Sequence, residues 1–265
     1  MPADSTFHPN QRKDSPFRVE GSGLGSRVIH LKECDSTNRV AREMVSEGAA
    51  DGLVIIADFQ HSGRGRFSRT WWSQPGQNLL LTVLLSRKIS HPARIPLAAA
   101  LAVRKVAADM LPHELSATSR MEERPMIKWP NDVLLGDRKL SGILVESPAD
   151  GVYLVGIGFN VNQVEFSGEY GAEPTSLFLE LGRPVDRTEV FSRLMAALEE
   201  SFEHMGRDQF MTTYRNHLVG IGEEAVLEDG RHVSIDGVSD DGGLIVHSDK
   251  GRETLYAGDV TLRMK

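Results

Sequence analysis

The 265-residue chain has a single cysteine, Cys34, which excludes an internal disulfide and every cysteine-based zinc cluster and fits a reducing compartment. It also lacks a membrane-spanning run: the longest apolar stretches, at 79–85 and 97–103, fall far short of the roughly 20 residues a spanning helix needs. Residues 1–20 contain no apolar signal-peptide centre. These absences predict a cytoplasmic protein with no membrane partner. Positive charge is scarce too, 30 Lys and Arg against 37 Asp and Glu for a formal net charge of −7, so general affinity for nucleic acid or anionic membrane has no bulk support. Any basic site must be local. What is present, 40% hydrophobic and 25% charged residues, is a globular composition with room for one large domain and one small one.

The polar, Pro- and Gly-containing stretch 1–26 reads as a flexible N-terminal arm. Over 27–220 helix and strand patterns alternate, with no internal repeat. Asp35 or Ser36 can N-cap a helix that carries Val40, Met44 and Val45 and stops at Gly48. The apolar strand 53–57 runs into a loop at 60–69, a second apolar strand reaches Leu85, and Pro96 opens a long helix with Leu97, Leu101 and Ala108 on one face. Residues 112–124 read as an exposed connection. Closely spaced strands at 126–129, 133–135, 140–146 and 152–161 imply antiparallel pairing. Asp186 and Glu189 form a capping-box pattern before Val190, Leu194 and Leu198, and a further helix is expected near 209–218. From 221 to 265 short strands separated by Asp-Gly and Gly-Gly turns predict a small β-barrel, and ten acidic against five basic side chains from Glu223 onward make it unfit to bind phosphates.

Chemistry concentrates in the 60–71 segment. Arg64, Arg66 and Arg69 alternate with Gly63 and Gly65 at the end of an apolar strand in an acidic chain. Guanidinium groups pair with carboxylates and phosphates, and glycines let backbone amides approach an anion, so the loop suits a phosphorylated or carboxylated ligand. It is not a P-loop, because the Gly-Lys-Ser/Thr ending is absent. A solvated arginine loop, or one that contacts single-stranded nucleic acid with Trp71 and Trp72, is the alternative from composition.

The run Gly63-Arg64-Gly65-Arg66-Phe67-Ser68-Arg69-Thr70-Trp71 resembles the biotin-binding loop of biotin protein ligases. Four further motifs resemble that family in the family's order: Ser36-Thr37-Asn38, Lys128-Trp129-Pro130-Asn131-Asp132, the 138–146 segment, and Gly156-Ile157-Gly158-Phe159-Asn160-Val161-Asn162. The likeness extends over 28–265, and five ordered motifs are far more specific than any one of them. It implies an α+β catalytic domain, a mixed, largely antiparallel sheet flanked by helices, followed by an SH3-like C-terminal barrel. It also implies ATP-dependent activation of biotin as biotinyl-5'-AMP with release of pyrophosphate, then transfer to one lysine of a biotin carboxyl carrier domain.

By the same resemblance, Ser36, Thr37, Asn38 and Gln60 contact or line the pocket of the biotin ring, the 63–66 backbone closes over its tail, and Gly142 lies in the biotin site. Lys139 meets both the biotin carboxylate and the α-phosphate. Arg66, Arg69, Trp71, Lys128, Asn131 and Asn160 are implied at the nucleotide. A carboxylate attacking ATP brings two anions together, so fixed positive charge from Arg64, Arg66 and Lys139 and a divalent ion, Mg2+, are chemically required. Asp132 has three open roles: metal contact, orienter of the attacking carrier lysine, or salt-bridge partner. Read without the resemblance, Ser36-Thr37-Asn38 is an ordinary helix start, Trp71 a core aromatic and Lys139 a surface lysine.

Two departures bear on the expectation. Ser68 stands where the family usually has glycine, which matters if that position needs a positive φ. Only 35 residues precede Ser36, too few for the DNA-binding domain of bifunctional relatives, so a monofunctional ligase is expected. Related lipoate ligases and octanoyl transferases remain the alternative, and a homodimer stays open because sheet-edge pairing leaves no readable pattern.

Overall fold

The computed structural model describes residues 15–111, 124–168, 172–227, 229–256 and 260–262, so the expected connection at 112–124 lies almost wholly outside the described residues. Seven strands make one mixed sheet: β1 (Val28–Leu31), β2 (Val54–Ala57), β3 (Leu79–Ser86), β4 (Pro125–Lys128), β5 (Asp132–Leu135), β6 (Arg138–Ala149) and β7 (Val152–Phe159), in the order β1-β2-β3-β7-β6-β5-β4. Only β1 and β2 run parallel, joined by the crossover helix α1 (Thr37–Ser46). The remaining pairs are antiparallel, and for β4–β5, β5–β6 and β6–β7 this is what their short spacings predict.

Alternation along β3 places the site. Leu79, Leu81, Val83 and Leu85 face the main core, where α2 (Ile95–Met110) packs with α4 (Arg187–His204). Leu84 faces the smaller cluster under α1, with Val40, Ala41 and Met44. Burial on both faces is why β3 reads as a continuous apolar run. The α1 end follows from its glycine: Gly48 adopts φ +82°, its amide donates to Val45 O at 3.0 Å and the Ala49 amide to Met44 O at 2.9 Å, a Schellman stop. On α2 Leu97 is buried as expected, along with eight other residues including Ala99, Val103 and Val106, while Leu101 and Ala108 are half-buried, because the helix is pressed against both the sheet and α4. A short helix absent from the sequence reading, α3 (Leu177–Leu181), is capped by Ser176 Oγ accepting from the Leu179 amide. Helix α5 (Asp208–Arg215) is followed by the chain at 217–219, which bonds along the outer edge of β4.

Five strands, β8 (Glu224–Leu227), β9 (His232–Val238), β10 (Leu244–Ser248), β11 (Gly251–Leu255) and β12 (Val260–Leu262), form a separate antiparallel sheet in the order β11-β10-β9-β8-β12. It is tied to the larger sheet by side chains bonded to its turns. Trp129 Nε1 donates to Gly242 O at 3.0 Å, and buried Arg94 donates to the carbonyls of Asp240 and Met205.

The expected flexible arm needs correction over 15–26. Phe17 is 1% exposed, edge-on to His30 at 5.0 Å and to Phe191 at 5.5 Å, and Leu24 is also buried. Apolar side chains among the polar ones fasten this segment to the core. Phe17→Ala is expected to cost about 3 kcal/mol, the usual loss for emptying a buried aromatic site, measured by urea unfolding. Cys34 is buried, and that burial, with Asp35 and Glu43 adding negative charge, pushes its thiol up to about 12, so it is inert at neutral pH.

Candidate active site

On the α1 face of the sheet lies a cavity of about 190 Å³ whose two ends differ in chemistry. The first end is built at the start of α1. Ser36 occupies the N-cap position but makes no side-chain cap bond, and Asp35 accepts from Arg39 at 2.8 Å instead. The cap comes from outside the helix: Gln60 Oε1 accepts from the Thr37 amide at 2.7 Å and from Thr37 Oγ1 at 3.1 Å. Ser36-Thr37-Asn38 is therefore a helix start whose side chains are not consumed in capping it. Asn38 Nδ2 donates to Glu146 Oε2 at 2.9 Å, and its Oδ1 lies 2.6 Å from the Thr82 hydroxyl.

Over this end folds the arginine loop, a narrow hairpin. The Trp71 amide donates to Gly63 O at 2.8 Å and the Gly65 amide to Arg69 O at 2.7 Å. A Cβ on Gly63 would lie 2.5 Å from Trp71 O, which is what demands glycine there. Gly65 has room for a side chain, and its amide serves the hairpin, so the expected use of that amide for an anion is not what the loop provides. The tip is a 3-10 turn at Arg66–Ser68 in which Phe67, not Ser68, takes the left-handed conformation, φ 54° and ψ 37°. Phe67 is 48% exposed and receives the guanidinium groups of Arg66 and Arg69 over its ring at 5.0 and 6.0 Å.

The second end is charged. Lys139 Nζ sits 2.8 Å from Asp132 Oδ2 and 5.6 Å from the Trp71 ring centroid. Its backbone is clamped on both sides, the amide donating to Glu173 O at 2.6 Å and the carbonyl accepting from the Thr175 amide at 2.9 Å. Arg66 Nη1 donates to Asn131 Oδ1 at 3.2 Å, and Asn131 Nδ2 to Ile143 O at 2.6 Å, so the loop is tied to the turn before β5. Lys128 stands opposite Asp132 in the β4–β5 register and lines the same cavity.

Between the ends, Trp71 lies across glycines. A Cβ at Gly142 would come within 2.9 Å of its ring, and one at Gly158 would overlap the indole outright. Glycine at these strand positions is what lets an aromatic ring rest on the sheet. Three buried polar atoms of residues that line this cavity have no partner among the described residues: Trp71 Nε1, Asp132 Oδ1 and Asn160 Oδ1. Unsatisfied groups of this kind are costly in a closed protein. Among the described residues no group of three or more His, Cys, Asp and Glu is placed to hold a metal ion.

All the sequence-predicted site residues but Gly63 line this one cavity, and Gly63 closes the hairpin beside it. The sequence reading omitted Thr82, Glu146, Phe67 and the 172–174 segment. Thr82 had a signal, a lone hydroxyl in an otherwise apolar strand, and Phe67 another, an exposed aromatic within a cationic loop; the 172–174 segment had none.

Residues 31–162 match the Biotin/lipoate A/B protein ligase family, and residues 220–263 match the Biotin protein ligase C terminal domain. The chain is 32% identical over 253 residues to a biotin--[acetyl-CoA-carboxylase] ligase of Mycobacterium tuberculosis, covering 91% of each chain. It is 32% identical over 243 residues to that of Paracoccus denitrificans, covering 87% of this chain and 98% of the relative. Its fold is similar, with a TM-score of 0.75 and 29% identity, to the biotin protein ligase from Aquifex aeolicus in complex with biotin and ATP, over 91% of this chain and 100% of that one.

Proposed function

Because the chain belongs to the biotin protein ligase family and is a biotin ligase, we propose that it joins biotin to AMP, releasing pyrophosphate, and passes the biotinyl group to one lysine of a biotin carboxyl carrier domain. The observation that carries this reading is the polarity of the cavity, with neutral hydrogen-bonding groups at the α1 end and fixed cations at the other. Biotin has the same two-ended form, a ureido ring and a carboxylate tail.

In this reading the ring head lies against Ser36, Thr37 and Gln60, with Asn38 behind them, and the valerate tail runs over Gly142 beneath the 63–66 hairpin. The carboxylate oxygen then attacks the α-phosphorus, the bond to the β-phosphate oxygen breaks, and pyrophosphate leaves. Lys139 exchanges its contact with Asp132 for the two reacting anions, and Arg64, Arg66 and Arg69 hold phosphate charge. Trp71 offers its ring and its indole N–H to the nucleotide, and Asn131 and Asn160 add polar contacts. Mg2+ would accompany the triphosphate and spread its charge. The unpaired Asp132 Oδ1 would suit a single carboxylate contact to such an ion.

In the second step the carrier lysine, with a reference pKa of about 10.4, must lose a proton before its amine attacks the acyl carbon and AMP departs. Once Lys139 has turned to the ligand, Asp132 is the carboxylate placed to orient that amine. Asp132→Asn is expected to slow transfer from preformed biotinyl-adenylate about 10²-fold, in single-turnover assays with a carrier domain. Unchanged transfer would remove Asp132 from this step. A homodimer that joined the large sheets edge to edge would use β1, since the 217–219 segment occupies the outer edge of β4.

The overall reading is tested by incubating the protein with biotin, ATP, Mg2+ and a carrier domain and weighing the carrier. One added biotinyl group, mapped to one lysine, supports it; a carrier of unchanged mass contradicts it.

A further inference from the structure

Lys139 and Gly142 both line the cavity, yet they stand three residues apart on β6, where regular alternation puts side chains on opposite faces. The register accounts for it. β5 pairs Val133 with Ser141 and Leu134 with Lys139, so Leu140 has no partner across the pair and forms a β-bulge. Leu140 turns into the main core with Ile143, and Lys139 emerges on the Gly142 face, where a Cβ at Gly142 would lie 3.3 Å from Lys139 Nζ. Without the bulge Lys139 would share the face of Ile143 and point into the core. The aim of this side chain therefore depends on an irregularity in the strand.

On its other side β6 loses its regular partner at the same place. β7 ends at Phe159, opposite Ser141, and the 173–175 segment takes over as a parallel bridge between Pro174 and Lys139. Pro174 lines the cavity beside Lys139, so the chain neighbours Thr175 and Arg138 point to the opposite side of the bridge. There they share one carboxylate: Glu180, on α3, accepts from the Thr175 hydroxyl with Oε1 and from Arg138 Nη2 with Oε2 at 3.0 Å. The Glu180 side chain is only 11% exposed, and both of its oxygens are committed. Asn160 Nδ2 closes the arrangement by donating to Thr175 O at 2.9 Å. The carboxylate thus ties the residue before Lys139 to the residue after its bridge partner.

We propose that Glu180, acting through Thr175 and Arg138, is a positioning residue for adenylate formation: it clasps the 173–175 segment to the start of β6 and so maintains the bulge that aims Lys139 into the cavity. The inference rests on the role given to Lys139 above. It places the effect of Glu180 on the chemical step and not on biotin affinity, because the α1 end of the cavity is built by Thr37 and Gln60 on other elements.

The test is a double-mutant cycle read by pyrophosphate exchange with the full chain. Glu180→Gln keeps the shape but brings an NH2 to two donors, and it is expected to lower kcat about tenfold while the KM for biotin changes by less than about twofold. Thr175→Val should act in the same direction and Thr175→Ser should restore the parental rate; this pair carries the test should Glu180→Gln fail to fold. In a Lys139→Met background, Glu180→Gln or Thr175→Val should add less than about twofold, since the group they aim is gone. A loss caused by misfolded protein would persist in that background, so an undiminished effect there overturns the proposal and leaves the role of Lys139 standing. Parental exchange by Lys139→Met alone overturns both. Unchanged kcat in Glu180→Gln and Thr175→Val, a rise confined to biotin KM, or no rescue by serine also overturns the proposal.

Discussion

Lys139→Met is expected to lower the rate of biotinyl-adenylate formation by about 10²–10³-fold, measured as pyrophosphate exchange at saturating biotin and ATP. Lysine and methionine have similar length, so the change removes the ammonium while leaving most of the apolar stem beside Trp71. The backbone of residue 139 is fixed by Glu173 and Thr175 whatever its side chain, so the strand should hold its course. Two anions then meet without the ammonium that lies 2.8 Å from Asp132. The same change leaves Asp132 without its present partner, which by itself is expected to weaken the approach of a negatively charged nucleotide. Lys139→Arg, which keeps the charge but spreads it over a planar group, should recover only part of the rate. A Lys139→Met enzyme with exchange within about twofold of the parent would remove this residue from the chemistry.

Arg66→Gly is expected to act on retention of the adenylate as well as on its formation. Arg66 joins the hairpin tip to Asn131 at 3.2 Å and stacks on Phe67 at 5.0 Å, so its loss unties the loop from the turn before β5. A mixed anhydride under an open loop escapes, and water and stray amines reach it. The half-life of bound biotinyl-adenylate in a filter assay should fall by about 10²-fold, and unrelated proteins added to the reaction should become biotinylated. Tight retention by the variant would show that closure does not depend on this side chain. The left-handed Phe67 gives the loop a second control. A non-glycine residue there costs of the order of 1 kcal/mol, so Phe67 is held in place by what it does for the two arginines rather than by backbone preference.

The fold was legible where periodicity and punctuation agreed. The α1 helix stops at its glycine as predicted, and the closely spaced strands from 125 onward pair antiparallel. It was not legible where a few contacts outweigh composition. Residues 15–26 look like a linker because most of them are polar, yet Phe17 alone finds His30, Phe191 and the Arg187 guanidinium. The site shows the same division. The alternation of arginine and glycine announced Arg66, and the family resemblance pointed to Lys139 and Asp132, whereas the cap of α1 by Gln60 arises from a contact between segments 23 residues apart, which no local pattern carries. Thr82 was the signal most open to reading, since a hydroxyl in a doubly buried strand must have partners. Its partners required knowing that Gly156 lies opposite and that Asn38 fills the gap.

The central claim is that this cavity activates the carboxylate of biotin with ATP before any carrier is present. Pyrophosphate exchange tests it most directly, with purified protein, ATP, Mg2+ and labelled pyrophosphate, and biotin, lipoate or octanoate as the acid. Label should enter ATP with biotin and not with the other two, because only biotin supplies a hydrogen-bonding ring head as well as a carboxylate to Lys139. Exchange with no acid, or with lipoate alone, would contradict the account.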